Sequence, residues 1–185
     1  MINETLADAE SRMAKSLEAL HRDLNTIRTG RASPALLDRV SVEYYGTPTP
    51  LNQMSNISAP EARLLVIQPW DKGVIPDIER ALQRSDIGIT PSNDGVVIRL
   101  AIPQLTEDRR KQLVKQVHSQ VEDAKIAIRN VRRDSVSDIR EMMSSKMISE
   151  DDERRAAQRL DELTKKFVDE AESIGKTKEH EVLEV

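Results

Sequence analysis

Thr106–Met147 reads TEDRRKQLVKQVHSQVEDAKIAIRNVRRDSVSDIREMMSSKM, a run without proline or glycine. Its apolar residues Leu113, Val117, Val121, Ala124, Ile128 and Val131 recur three or four positions apart, and Ile139 and Met142 resume the pattern after Ser135 interrupts it. Residues so spaced line one face of an α-helix. Thr106 can cap its start, and Glu107 and Asp108 suit the partial positive charge of a helix N-terminus.

The same pattern appears on either side. Ile2, Leu6, Ala9, Met13, Leu17, Leu20, Leu24 and Ile27 predict a helix over 2–28, with Gly30 as its stop. A third helix starts after Ser149, where Ser149 with Asp152 resembles a capping box and Glu150–Glu153 suits the positive helix end. Its stripe is Ala156, Leu160, Leu163, Phe167, Ala171 and Ile174, and the tail beyond Gly175 is expected to fray. Three amphipathic helices with near-heptad stripes make a three-helix bundle.

The segment between the first two helices is different. All 8 prolines fall between Pro34 and Pro103, and of the 60 charged residues only 15 lie in 31–104, against 9 in 1–30 and 36 in 105–185. Proline is excluded from helix interiors, so the flanks can be long helices and the middle cannot. The fold class expected is α+β: a bundle from 1–30 and 105–185 with a β/α/β module, 31–104, inserted into it. Within the module, Val40, Val42 and Tyr44 alternate with polar neighbours as in a half-buried strand, and Thr47–Pro50 reads as a rigid connector. Leu64–Ile67 reads as a short buried strand, Pro76 opens a helix that ends before Gly88, and the Asn93-Asp94-Gly95 turn leads to a strand over Val96–Ile102.

Composition removes several functions. The 185 residues include no cysteine, so disulfides, thiol nucleophiles and Cys-based metal sites are excluded. Aromatics are 2% (Tyr44, Tyr45, Trp70 and Phe167), too few for a row of base-stacking rings. No run of about 18 apolar residues exists to span a membrane, and the charged N-terminus lacks a signal-peptide core, so a soluble cytoplasmic protein is expected. His21, His118 and His180 have no metal-pair spacing, and no nucleophile elbow, phosphate-cradling loop or dinucleotide fingerprint occurs. No catalytic residue, metal site or cofactor is therefore expected.

The arginines carry more information. From Arg109 to Arg133 there are eight basic and two acidic residues, a local net of +6 in a chain of net charge −4. Arg129, Arg132 and Arg133 fall at i, i+3 and i+4, with Lys125 one turn earlier, and Arg28 and Arg31 form a second basic point beside Gly30. The planar guanidinium suits bidentate phosphate contact. The pattern alone fits a solvated, salt-bridged helix face best, an RNA or DNA contact next, and a protein partner least.

Specific motifs then narrow the choice. Ile27-Arg28-Thr29-Gly30-Arg31-Ala32-Ser33-Pro34 and Val42-Glu43-Tyr44-Tyr45-Gly46-Thr47-Pro48-Thr49-Pro50-Leu51 resemble motifs of the bacterial ribosome recycling factor family. Leu105–Lys111, Arg129–Asp134 and Ile148–Asp152 resemble it too, in the same order, so the resemblance spans the chain. It implies an L-shaped two-domain fold in which two hinge strands join the bundle to the smaller module. It implies action after termination, when elongation factor G, which supplies the GTPase, and the recycling factor split the ribosome into subunits and free messenger RNA and deacylated transfer RNA. The bundle is implied to bind large-subunit ribosomal RNA and the smaller module to meet elongation factor G, with no active site. The protein is expected to be a monomer.

On this basis the RNA-binding candidates are Arg28, Arg31, Arg110, Arg129, Arg132 and Arg133. The hinge candidates are Thr29, Gly30, Pro103, Gln104 and Leu105, since Gly30 permits backbone angles closed to other residues and Pro103 stops one helix from running straight through. If the first two helices pack antiparallel, Arg28 is level with Arg109 and Arg110, about 30 Å from Arg129–Arg133 at 1.5 Å per residue. The alternative is a coiled-coil adaptor or chaperone that offers its apolar stripes to a protein partner.

Overall fold

The computed structural model describes residues 1–184. They divide into two compact units: residues 1–28 with 107–184, and residues 29–106.

The first unit is a bundle of α1 (Ile2–Asn25), α3 (Glu107–Ser144) and α4 (Glu150–Leu183), each in contact with the other two; α2 (Ile75–Arg84) lies in the second unit. The stripes read from the sequence form its core: Leu6, Met13, Leu20 and Leu24 of α1, Val117, Ile128 and Ile139 of α3, and Leu160, Phe167 and Ala171 of α4 are buried. The His118–Glu179 hydrogen bond and the salt bridges Lys125–Glu172, Arg132–Asp161 and Arg140–Glu153 pair rising with falling numbers, so α3 and α4 run antiparallel. The Ser149 capping box is present in both directions, Asp152 N–H to Ser149 Oγ and Ser149 N–H to Asp152 Oδ2, each 3.1 Å.

Three expectations for the helices need correction. Ser135 does not interrupt α3; its small side chain occupies a core position at 2% exposure, and the helix runs on. Gly30 does not stop α1, which ends at Asn25; the chain then turns so that Ile27 is buried, and Gly30 adopts φ +78° beyond it. The tail after Gly175 does not fray. Helix α4 continues to Leu183 and buries Val182, and Gly175 is itself buried against α3, where a Cβ would stand 2.5 Å from Val121 Cγ2. Glycine serves there as the point of closest helix approach, not as a terminator.

The second unit holds two sheets. Strands β1 (Ser41–Tyr44) and β2 (Thr47–Pro50) form a two-stranded ribbon. Strands β3 (Ser55–Glu61), β4 (Leu64–Pro69), β6 (Ile98–Ala101) and β5 (Ser92–Asn93) form an antiparallel sheet in the order β3-β4-β6-β5. Helix α2 (Ile75–Arg84) begins with Pro76 in its first turn. Leu65 and Ile67 of β4 pair with Leu100 and Ile98 of β6, and all four are buried in one cluster with Ile75, Ile78 and Leu82 of α2. Thr47–Pro50 is thus a strand and not a connector; Pro48 and Pro50 are tolerated because each strand of a two-stranded ribbon has one unpaired edge. Strand β3, with a register shift between Ser58 and Glu61, has no sequence-level counterpart, since its Ala59 and Pro60 break the alternation that marks a strand.

Candidate nucleic-acid interface

Helix α3 places the largest group of candidate residues. At 3.6 residues per turn, Arg129, Arg132 and Arg133 fall within about 100° of one another and span about 6 Å of helix axis. Arg129 and Arg133 are exposed because they point away from the buried stripe of Ala124, Ile128 and Val131, whereas Arg132, about 40° round from Ile128, flanks that stripe and is half-exposed. Arg110 is not in this group: it lies about 29 Å down the same helix, about 100° round from Arg129, and is half-buried. Arg28 and Arg31 are exposed, Arg28 three residues past the end of α1 and Arg31 in the second unit.

The partners of these arginines differ. Arg132 Nε donates to Asp161 Oδ1 of α4 at 2.7 Å, a well-formed ion pair. Arg129 is 3.6 Å from Glu122, and the Arg133 guanidinium donates to the Asn130 amide oxygen at 3.0 Å. Lys125 Nζ lies 2.6 Å from Glu172, which holds that carboxyl below its ordinary pKa, first by the hydrogen bond and then by the charge of the lysine. Two acids of α4, Asp161 and Glu172, therefore offset part of the positive charge counted along α3. All these groups are substantially exposed apart from Lys125, so the pairs are worth little in water and are open to exchange for another anion. An exposed apolar residue, Ile126 (48%), stands among the arginines. It falls off the buried stripe, a signal readable in the sequence spacing.

The two connectors lack regular secondary structure. Thr29 is buried, Gly30 has positive φ, Pro103 and Gln104 are exposed, and Leu105 is half-buried. Both connectors are tied to the β3–β4 turn: Ala32 N–H donates to Ala62 C=O at 2.7 Å and Ile102 N–H to Arg63 C=O at 2.8 Å.

Among the described residues no group of three or more His, Asp or Glu is placed to hold a metal ion, and no helix is long and apolar enough to cross a membrane. The apolar stripes that an adaptor would offer to a partner helix are consumed inside the bundle.

The family model described as ribosome recycling factor matches residues 20–183. A ribosome-recycling factor of Thermomicrobium roseum is 56% identical over 185 residues, covering all of both chains, and one of Brevibacillus brevis is 55% identical with the same coverage. A solution structure of ribosome recycling factor is similar with a TM-score of 0.74 at 39% identity, covering 100% of this chain and 98% of that one. The T. thermophilus recycling factor, described with E. coli elongation factor G bound to the E. coli post-termination complex, is similar with a TM-score of 0.63 at 42% identity, covering 99% of each chain. With its helical flanks around an antiparallel sheet and its full-length likeness to these proteins, the chain belongs to the ribosome recycling factor family.

Proposed function

We propose that this protein works with elongation factor G and GTP to split post-termination ribosomes into subunits, releasing messenger RNA and deacylated transfer RNA. It acts as a cytoplasmic monomer and as a binding factor, with the GTPase supplied by its partner. Large-subunit ribosomal RNA is held through Arg28, Arg110, Arg129, Arg132 and Arg133 of the bundle and through Arg31 of the first connector. The smaller module meets elongation factor G, and Thr29–Gly30 with Pro103–Leu105 form the hinge about which it moves. The observation that carries this reading is the full-length match to recycling factors, one of them described beside elongation factor G on a post-termination complex. The exposed arginine face of α3 supports the RNA contact, since phosphates of a folded RNA are read by position and charge and need no stacking rings.

The test is a subunit-splitting assay on post-termination ribosomes with elongation factor G and GTP. Light scattering should fall only when this protein and the factor are both present. Splitting that proceeds equally without it would refute the proposal.

A further inference from the structure

Asp94–Gly95 is the only Asp-Gly pair in the chain, and Asn-Gly does not occur. Asp-Gly is the aspartyl dipeptide most open to ring closure between side chain and main chain. The glycine nitrogen attacks the aspartate Cγ, its hydrogen leaves with the carboxyl hydroxyl as water, and a five-membered succinimide forms. Water then reopens the ring. Attack at the side-chain carbonyl restores aspartate; attack at the main-chain carbonyl leaves isoaspartate, whose backbone runs through Cβ and Cγ. One water is lost and one is gained, with no change of oxidation state. Glycine favours the step because it has no Cβ beside the attacking nitrogen and its backbone turns freely.

The pair sits in the turn between β5 and β6, where bulk does not shield it. Asn93, Asp94 and Gly95 are all exposed, and a Cβ built on Gly95 would meet nothing within 4 Å. Hydrogen bonds hold both reacting groups instead. Asp94 Oδ1 accepts from Val96 N–H and Val97 N–H, each at 2.9 Å, and Oδ2 accepts from Arg99 Nη1 at 2.9 Å. The attacking nitrogen is engaged too, Gly95 N–H donating to Asn93 Oδ1 at 3.1 Å. Asn93 is fixed in turn, its Nδ2 donating to the Glu79 carboxylate of α2. The amide orientation follows from these partners, since the carboxylate needs a donor and the N–H an acceptor.

We infer that Asp94–Gly95 is a site of isoaspartate formation that the native turn latches shut, with Asn93 and Arg99 as the latch. Ring closure needs the carboxyl to swing onto the Gly95 nitrogen. That motion breaks its bonds to Val96, Val97 and Arg99 and takes Gly95 N–H from its acceptor. The reactive carboxyl is the neutral acid, because hydroxide leaves far better than oxide. The bonds from Val97, then Val96, then Arg99 lower its pKa from 3.8 to about 2, which makes the neutral acid roughly sixtyfold scarcer at neutral pH. Isoaspartate adds one atom to the backbone and moves the free carboxylate to Cα. Val96 and Val97 then lose their acceptor, and the two-residue strand β5 loses the turn that joins it to β6. The modification therefore records how often this turn opens, and it stands apart from any ribosomal contact.

The test incubates the full chain at pH 7.4 and 37 °C for several weeks. Isoaspartate is counted with an isoaspartyl methyltransferase and labelled S-adenosylmethionine. It is located with an endoproteinase that cleaves before aspartate and fails before isoaspartate. The folded wild type should form isoaspartate at position 94 at least thirtyfold more slowly than the chain in guanidinium chloride. Asn93→Ala and Arg99→Ala, each folded by circular dichroism, should run at least threefold faster than the folded wild type, and the double variant at least tenfold faster. Ile78→Val shortens a fully buried side chain of the same module without touching the turn, and it should stay within twofold of wild type. If the double variant does not fold, the single variants decide. Equal rates for the folded and unfolded wild type would overturn the inference, as would latch variants no faster than wild type. Acceleration by Ile78→Val equal to that of the latch variants would overturn it too, since protection would then come from global folding. Isoaspartate that accumulates elsewhere while position 94 stays aspartate would be equally fatal to it.

Discussion

Asp161→Asn is expected to strengthen RNA binding by removing a competitor. Arg132 Nε is 2.7 Å from Asp161 Oδ1, with the two side chains 44% and 59% exposed. Exposed pairs of this kind contribute about 0.2–1 kcal/mol. A charge-assisted hydrogen bond to phosphate contributes about 1.5–3 kcal/mol, so exchanging the carboxylate for a phosphate leaves a net gain of about 1–2 kcal/mol. Arg132→Ala should therefore weaken binding to large ribosomal subunits about 5–30-fold, at 1.4 kcal/mol per tenfold. It should also flatten the dependence of log affinity on log salt by roughly 0.7–0.9, the share of one phosphate contact. Asp161→Asn should raise affinity up to about fivefold, at a cost of less than about 1 kcal/mol in stability. The double variant separates pairing from a general field effect: in the Arg132→Ala background, Asp161→Asn should bring little gain. Affinities measured at three potassium chloride concentrations, with urea unfolding alongside, give all these quantities. An Asp161→Asn gain that persists without Arg132, or an Arg132→Ala loss independent of salt, would refute the exchange.

Other expectations concern the scaffold. Gly175→Ala places a Cβ 2.5 Å from Val121 Cγ2, and overpacking of about 1–3 kcal/mol should outweigh the roughly 1 kcal/mol gain in helix propensity, lowering the melting temperature by a few degrees; Val121→Ala should relieve it. Replacing residues 29–106 by a Gly/Ser linker should leave a helical bundle by circular dichroism that still binds large subunits but no longer supports splitting, and an unfolded product would show that the bundle depends on the module. The Asp94 carboxyl accepts from Val96 N–H, Val97 N–H and Arg99, and the Val97 bond leads in lowering its pKa from 3.8 to about 2. Its stabilising effect is thus present above about pH 4 and lost as pH falls through about 2, so the urea midpoints of wild type and Asp94→Asn should converge across that window.

The bundle was legible because each helix buries one stripe, and a stripe survives as spacing. Gly175 misled for a related reason: at a helix end glycine marks a stop, whereas inside a helical interface it marks close approach, and only the partner surface at Val121 distinguishes the two. The middle module was harder to read. Strands β2 and β3 contain Pro48, Pro50 and Pro60, and sit in a ribbon and at a sheet edge, where alternation is weak and proline is tolerated. The arginine face could be placed from i, i+3, i+4 spacing, but its acidic partners could not be read along α3. Asp161 and Glu172 come from α4, 29 and 47 residues away. A tight turn around Met147 folds α3 back on α4 and sets that register, so the pairing was implicit in the position of the Ser149 cap and invisible to a count of local charge.

If the proposed RNA contact holds, that pairing bears on how an acidic protein selects one RNA. The chain carries −4 overall and +6 between Arg109 and Arg133, so the remainder carries −10 (−4 minus +6). Such a molecule is repelled by nucleic acid in general, and Arg129, Arg132 and Lys125 are each paired with an acid, Glu122, Asp161 and Glu172, while Arg133 donates to the Asn130 amide oxygen. A flexible strand that offers one phosphate at a time displaces one carboxylate at a time and gains little. A folded RNA that holds several phosphates at the spacing of Arg129, Arg132 and Arg133 displaces them together, and the gains add without further ordering of the ligand. On the proposed RNA contact, the acids of α4 lower affinity for every RNA and lower it most for the wrong ones. Neutralising Asp161 and Glu172 together should accordingly raise binding to a single-stranded homopolymer by a larger factor than binding to folded large-subunit RNA. A uniform rise for both would show that the acids set affinity alone and leave selectivity to the geometry of the arginines.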